Sequence, residues 1–284
     1  MITIAVFGAA GNMGTRVVRA FQGDADYRLL LVESGEAGLK KLQERGLAVT
    51  PADQAAGSAD VAVLAVPDVY IGRVAAEVAP MLRPGAMVMC LDPAAPRAGR
   101  LPQRPDISYF ITHPAHPPVF NDEMDMTARR DFFGSGLAKQ AIVCALMQGP
   151  EEDYAKGEKI AARMFGPILR AHRVTVDQMA LLEPALSETL AATCLSVIRE
   201  GLDEVAARGV PYDAARDFLM GHINIELAIL FNEIDWKFSA GAQFAIAEAK
   251  KVLFQPDWKR IFEPESVLNS VVRISGGDGS KGTA

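Results

Sequence analysis

The run Gly8-Ala9-Ala10-Gly11-Asn12-Met13-Gly14 stands directly after the apolar stretch Ile2–Phe7 and opens the amphipathic stretch Asn12–Phe21. The first stretch reads as a strand and the second as a helix, and each glycine has a mechanical reason at their junction. Gly8 allows a tight turn, Gly11 lets backbone approach a diphosphate, and Gly14 permits close helix–strand packing. Asn12 and Met13 begin a helix whose free N–H groups and macrodipole favour negative charge. Glu33 gives the motif its weight. It ends the second apolar stretch about twenty residues on, where a dinucleotide fold places the acid that holds the adenosine ribose hydroxyls. A carboxylate there repels a 2′-phosphate, so NAD is expected rather than NADP.

The pattern repeats along the first half. Arg28–Glu33, Val61–Val66, Met87–Leu91, Tyr109–Thr112 and Ala141–Met147 read as strands, with helices at Glu36–Arg45 and Tyr70–Leu82 between them. The strands are nearly continuous apolar runs, as in parallel strands covered on both faces. An α/β fold follows, a doubly wound parallel Rossmann sheet. From Glu151 the period becomes helical, with helices expected at Glu151–Met164, Pro184–Arg208, Asp213–Asn232 and Ala240–Leu253. Pro184 suits a first helical turn. The expected division is a Rossmann domain over 1–150, an all-helical domain over 151–274 and a disordered tail over 275–284.

Composition narrows the function classes. Half the residues are hydrophobic and 23% are charged, the balance of a globular protein. The net charge is -6 with no Lys/Arg run, which argues against a nucleic-acid partner. No basic leader precedes the first strand, and no uninterrupted apolar run reaches bilayer length, so no membrane association is expected. Cys90, Cys144 and Cys194 lie far apart without a CxxC pair, consistent with buried thiols in a reducing cytoplasm.

Candidate chemistry falls in three places. In Val63-Leu64-Ala65-Val66-Pro67-Asp68 a strand ends on a Pro turn; Pro67 and Asp68 should line the nicotinamide side, although Asp68 also suits a helix cap. In Thr112-His113-Pro114-Ala115-His116-Pro117-Pro118 two histidines sit on a Pro-stiffened loop at the end of the sheet where ligands collect; they suit proton transfer or metal ligation. In the helical half, Phe218–Phe231 is apolar nearly all round and reads as buried, with His222 and Glu226 on one face as a core hydrogen bond, a relay or ligands. Glu188 projects from an apolar helix face, and Glu183 suits a helix start. Lys156 and Lys159 read as a solvated face, while Arg97, Arg100 and Arg104 could anchor a carboxylate. No GxSxG, Walker A or HExxH motif supports a hydrolase or triphosphatase.

With its GxxGxMG run, Val63–Asp68, and the helical stretch Glu200–Pro211, the chain resembles the 6-phosphogluconate dehydrogenase and ketol-acid reductoisomerase group. In size and layout it is similar to the D-apionate oxidoisomerase family. The acidic ligands of the reductoisomerases do not align cleanly, with Glu183 or Glu188 near the first and His222/Glu226 near the second. The resemblance implies NAD-dependent oxidation of a branched sugar acid coupled to an α-ketol shift, with a divalent ion such as Mg²⁺ as Lewis acid. It implies His113, His222 and Glu226 as proton-handling groups and His116 and Glu188 as cation ligands. A homodimer joined through the helical domain follows. The competing expectations are a simple hydroxy-acid dehydrogenase and a non-enzymatic NAD-sensing module.

Overall fold

The computed structural model describes residues 1–276. One sheet of seven strands runs in the order β2-β1-β3-β4-β5-β6-β7: β1 (Ile2–Phe7), β2 (Tyr27–Val32), β3 (Val61–Leu64), β4 (Met87–Cys90), β5 (Ser108–Pro114), β6 (Gln140–Gln148) and β7 (Ile168–Arg173). Strands β1 to β5 are parallel, as expected. Strand β6 runs antiparallel to β5, with Thr112 opposite Cys144 and His113 opposite Val143, and β7 runs parallel to β6. The reversal follows from the connection: residues 115–139 leave and re-enter the sheet at the same end, with no crossover helix to restore the direction.

Alternation along each strand builds two cores. Ile4, Val6, Val61, Val63, Met87 and Met89 face one side, where α1 (Asn12–Phe21) and α7 (Glu152–Phe165) bury Val17, Phe21, Ile160 and Phe165. Ala5, Phe7, Leu64, Val88 and Cys90 face the other, against α3 (Ala52–Ser58) and α4 (Asp68–Val78). The remaining helices of the first half are α2 (Glu36–Glu44), α5 (Ala94–Arg97) and α6 (Met126–Arg129).

The chain divides into two units, and the division lies at Pro184 rather than at 150. The first unit is Met1–Pro184 with the segment from Val267 onward; the second is Ala185–Ser266. The expected boundary fell too early because α7 and β7 still belong to the sheet. The tail expected from 275 is also shifted: Ser275 is buried and bonded to Val271 and Val272. The rest of that expected tail, 277–284, lies outside the described residues.

The helix expected to begin at Pro184 begins earlier. Thr175 caps α8 (Val176–Ala180) in a reciprocal capping box with Gln178. The backbone continues through a π-helical stretch, Leu181–Ala192, into α9 (Thr193–Ala207). Pro184 therefore lies inside the helix, where the wider turns relieve the clash a proline makes with the carbonyl four residues back. This helix, Val176–Ala207, is long and apolar enough by length and composition to cross a membrane, contrary to the sequence expectation; only 11% of its most apolar window is buried. Interspersed charges had hidden it.

The second unit continues with α10 (Tyr212–Leu230) and α11 (Ala240–Leu253) before α12 (Pro264–Ile274) returns. The expected burial of α10 is not found within one chain. None of its residues is buried, and Phe218 is 69% exposed.

Candidate active site

The glycine loop follows β1 as the sequence requires. Gly8 adopts φ +84°, and a Cβ there would meet the Ala65 carbonyl oxygen at 2.6 Å. A Cβ on Gly14 would lie 2.0 Å from the Gly8 oxygen, so α1 packs on the loop at a distance only glycine allows. Gly11 is the N-cap residue of α1 and uses no side chain to cap it. The N–H groups at Asn12 and Met13 thus begin a helix end suited to a diphosphate. Glu33 reaches back over this loop. Its carboxylate accepts from the N–H groups of Ala10 (3.1 Å), Ser34 (3.1 Å) and Gly35 (3.2 Å), which fix the acid beside the glycines.

Four ionisable side chains meet beyond the C-terminal ends of β3, β4 and β5. Pro67 holds the N-cap position of α4, so Asp68 is its first helical residue rather than its cap. Asp92 follows β4 and accepts from the Ala94 N–H at 2.7 Å. His113 lies near the end of β5, its Nδ1 2.8 Å from the Leu91 carbonyl oxygen. A carbonyl only accepts, so Nδ1 carries the hydrogen. That leaves Nε2 3.5 Å from Glu183 Oε2. Nε2 is then the ring's acceptor, and a carboxylate oxygen stands where it can stabilise the charge that forms when Nε2 takes a proton.

The carboxyls interact with one another. Burial first, then the neighbouring Asp68, lifts Asp92 to about 7. Burial also raises Asp68, with His113 opposing and Glu183 adding to the shift. The folded protein therefore keeps a proton on Asp92 that the unfolded chain releases near pH ~4. The stability this proton supplies is complete in acid and is lost as the pH climbs to about 7. Asn can keep the acceptor for Ala94 while removing the titration. The melting temperature of Asp92→Asn is expected to rise relative to the native protein between pH 4 and 7, then hold a constant lead. A pH-independent difference in thermal unfolding would contradict this.

His116 lies at φ +61° beyond the end of β5, its ring centroid 6.4 Å from that of His113 and edge-on to it. Asp92 was not recognised as a site residue from the sequence, and Glu183 was named only as a helix-start acid and, with Glu188, as standing near the first reductoisomerase ligand. His222 and Glu226 lie in the second unit and are exposed; they line a groove of about 780 Å³ with Ile198, Val205 and Phe218. His222 Nδ1 bonds its own helix at the Phe218 carbonyl, so the core His–Glu pair expected from their spacing is replaced by a local bond. Glu188 also belongs to the second unit, and its side chain is exposed. Among the described residues no group of three or more His, Cys, Asp or Glu side chains is arranged to hold a metal ion. The expected carboxylate anchors are engaged elsewhere: Arg97 pairs with Asp177, and Arg104 with Asp106. Arg100 is exposed on its loop. Burial pushes the Cys90 thiol up to about 12 and Cys144 to about 11, which excludes both as thiolate nucleophiles near neutrality, while Cys194 is only partly buried.

Residues 3–92 match the family model of coenzyme F420-dependent NADP oxidoreductases, and residues 121–275 that of the phosphogluconate dehydrogenase (decarboxylating) C-terminal domain. A D-apionate oxidoisomerase from Cupriavidus necator is 54% identical, over 96% of this chain and 99% of its own. The chain belongs to the D-apionate oxidoisomerase family. A crystal structure from the same organism, described as a semialdehyde dehydrogenase NAD-binding protein in complex with calcium and NAD, superposes with a TM-score of 0.93. It is 53% identical and covers 96% of this chain and 99% of that one. An NADH-preferring ketol-acid reductoisomerase from an uncultured archaeon shares the fold at a TM-score of 0.68 and 17% identity, covering 98% of this chain and 83% of its own. Like its relatives, this member of the oxidoisomerase family is an oxidoreductase, and its fold places the dinucleotide loop and the His113 cluster on the same edge of one sheet.

Proposed function

We propose that this oxidoreductase oxidises a CH–OH group of a branched sugar acid of the D-apionate type with NAD, and then rearranges the oxidised acid by an α-ketol shift to a 3-oxo-isoapionate-type product. The observation that carries the chemical half of this reading is the His113–Glu183 pair beyond the dinucleotide sheet. Glu33 and the open α1 terminus fit the adenosine ribose and the diphosphate of NAD. Bound there, NAD supplies the hydride acceptor.

His113 takes the hydroxyl proton as the carbinol carbon is oxidised. Its tautomer is held by the Leu91 carbonyl, and Glu183 stabilises the imidazolium that forms. Asp92, which burial moves up to about 7, carries a proton below that pH and there lessens the repulsion that three carboxylates would impose on an anionic acid. His116 supplies a second proton-handling ring for the rearrangement, in which one hydroxyl loses a proton and one carbonyl gains it. The described residues do not assemble a donor set for the divalent ion that the resemblance implies.

The second unit supports a further part of the reading, a homodimer joined through its helices; a cytoplasmic location is proposed with it from the unpaired cysteines alone. An apolar helix with no buried residue, α10, is accounted for by a second copy covering it. Sedimentation equilibrium showing only monomer at micromolar concentration would remove this part.

The function itself is tested by following absorbance at 340 nm with NAD or NADP against linear and branched sugar acids, with product identified by NMR. NADH formation from a branched acid together with a changed carbon skeleton is expected. An unchanged skeleton would reduce the assignment to a plain dehydrogenase, and dinucleotide binding without turnover would point to the sensing module.

A further inference from the structure

Arg16 is a charged side chain buried in the first unit, only 6% exposed, two residues beyond Gly14 on α1. It is held between two rings, its guanidinium carbon 5.1 Å from the centroid of Phe133 and 4.9 Å from that of Phe165. Burial lowers its pKa to about 10, with Asp131 opposing the shift. Its NH1 donates to the Phe133 carbonyl at 3.2 Å. The same carbonyl faces His116 Nδ1 at 3.0 Å, and the two aromatic rings lie 5.5 Å apart. A carbonyl oxygen has two lone pairs, so both donors can be served at once. His116 Nδ1 must then carry the hydrogen, and Nε2 is left as the ring's acceptor.

The surroundings show why one arginine matters here. The stretch 115–139 contains only one short helix, α6, and is otherwise irregular. It is fixed by polar contacts: Asp131 accepts from Ser135, Leu137 and Ala138, and Gln140 Nε2 donates to the Phe165 carbonyl at 2.7 Å. Gly134, at φ +75°, passes so close that a Cβ would meet Arg16 NH2 at 2.9 Å. His116 itself sits in the left-handed region, a conformation that a non-glycine residue keeps only when neighbours impose it.

We propose that Arg16 is a positioning residue for His116: by anchoring the Phe133 carbonyl to the dinucleotide helix, it fixes the orientation and tautomer of the His116 ring. The clamp links the helix suited to the cofactor diphosphate to the loop that carries one proton-handling group. This inference rests on the reading that places His116 in the active site.

The test uses the full chain labelled with ¹⁵N-histidine. The chain has only four histidines, so each ring is assignable by single His→Gln variants. At a pH where the ring is neutral, native His116 should show the Nδ1–H pattern. Arg16→Met should lose that pattern and lower kcat by about 100-fold, the loss that a misplacement of roughly 1 Å produces. NAD affinity should change less than threefold. Arg16→Lys, which keeps a donor for the carbonyl, should retain the pattern and recover at least tenfold of the lost kcat; it also serves if Arg16→Met fails to fold. A native His116 with Nε2–H, or an Arg16→Met protein with unchanged His116 resonances, overturns the clamp. Undiminished turnover in His116→Gln overturns the active-site reading of His116 instead, and leaves the tautomer result to judge the clamp alone.

Discussion

His113→Gln is expected to lower kcat by about 10²–10⁴-fold, the usual contribution of a positioned general base, while NAD still binds. The glutamine amide can still donate to the Leu91 carbonyl, so the strand end keeps its bond. What disappears is a group able to take a proton beside Glu183. Steady-state kinetics with saturating NAD, together with a fluorescence titration of NADH, separate the two effects. Turnover within threefold of the native enzyme would remove His113 as the base and move the role to another member of the cluster. Glu183→Gln should be the milder change, since it removes the stabiliser of the imidazolium and leaves the proton acceptor.

Gly14→Ala is expected to abolish dinucleotide binding and to destabilise the fold by about 1–3 kcal/mol or more, as overpacking a fixed contact does. The added carbon would meet the Gly8 oxygen at 2.0 Å and the Ala9 backbone at 2.8 and 2.9 Å. These are backbone atoms, so no side chain can rotate away and α1 itself must shift. Gly11→Ala provides the contrast. Its Cβ would be 3.5 Å from the Gly8 oxygen, an ordinary contact, so the fold should survive while the added methyl meets the incoming diphosphate. Thermal unfolding beside NADH titration tells them apart. Equal melting temperatures for the native protein and Gly14→Ala would contradict the packing account.

The dinucleotide half was legible because its physics is local. A continuous apolar run marks a doubly covered strand, and glycine marks each close approach, so β1, α1 and Glu33 followed directly. The proton-handling half depends on contacts distant in sequence. Asp92 carried a faint signal, an acid directly behind a strand and before a proline, at the same sheet end as Pro67-Asp68. Glu183 was obscured by Pro184, which drew the helix start eight residues too late. The better signal was the Thr175…Gln178 capping box. For α10 the inference ran from apolarity to burial, and that step is correct only when every surface that will cover the helix is in the same chain. The pairing of His222 with Glu226 failed for a simpler reason: i,i+4 spacing permits a contact, and a helix carbonyl competed for the histidine.

The reversed pair β6 and β7 carries a consequence for synthesis. It brings the chain back across the sheet so that Glu183 can stand 3.5 Å from a histidine placed before the long loop. A ribosome makes the cofactor half first: the glycine loop, Glu33 and His113 all emerge before the residue that completes the pair. The cofactor half thus precedes its proton partner in the order of synthesis, and the last strand of the sheet is what joins them.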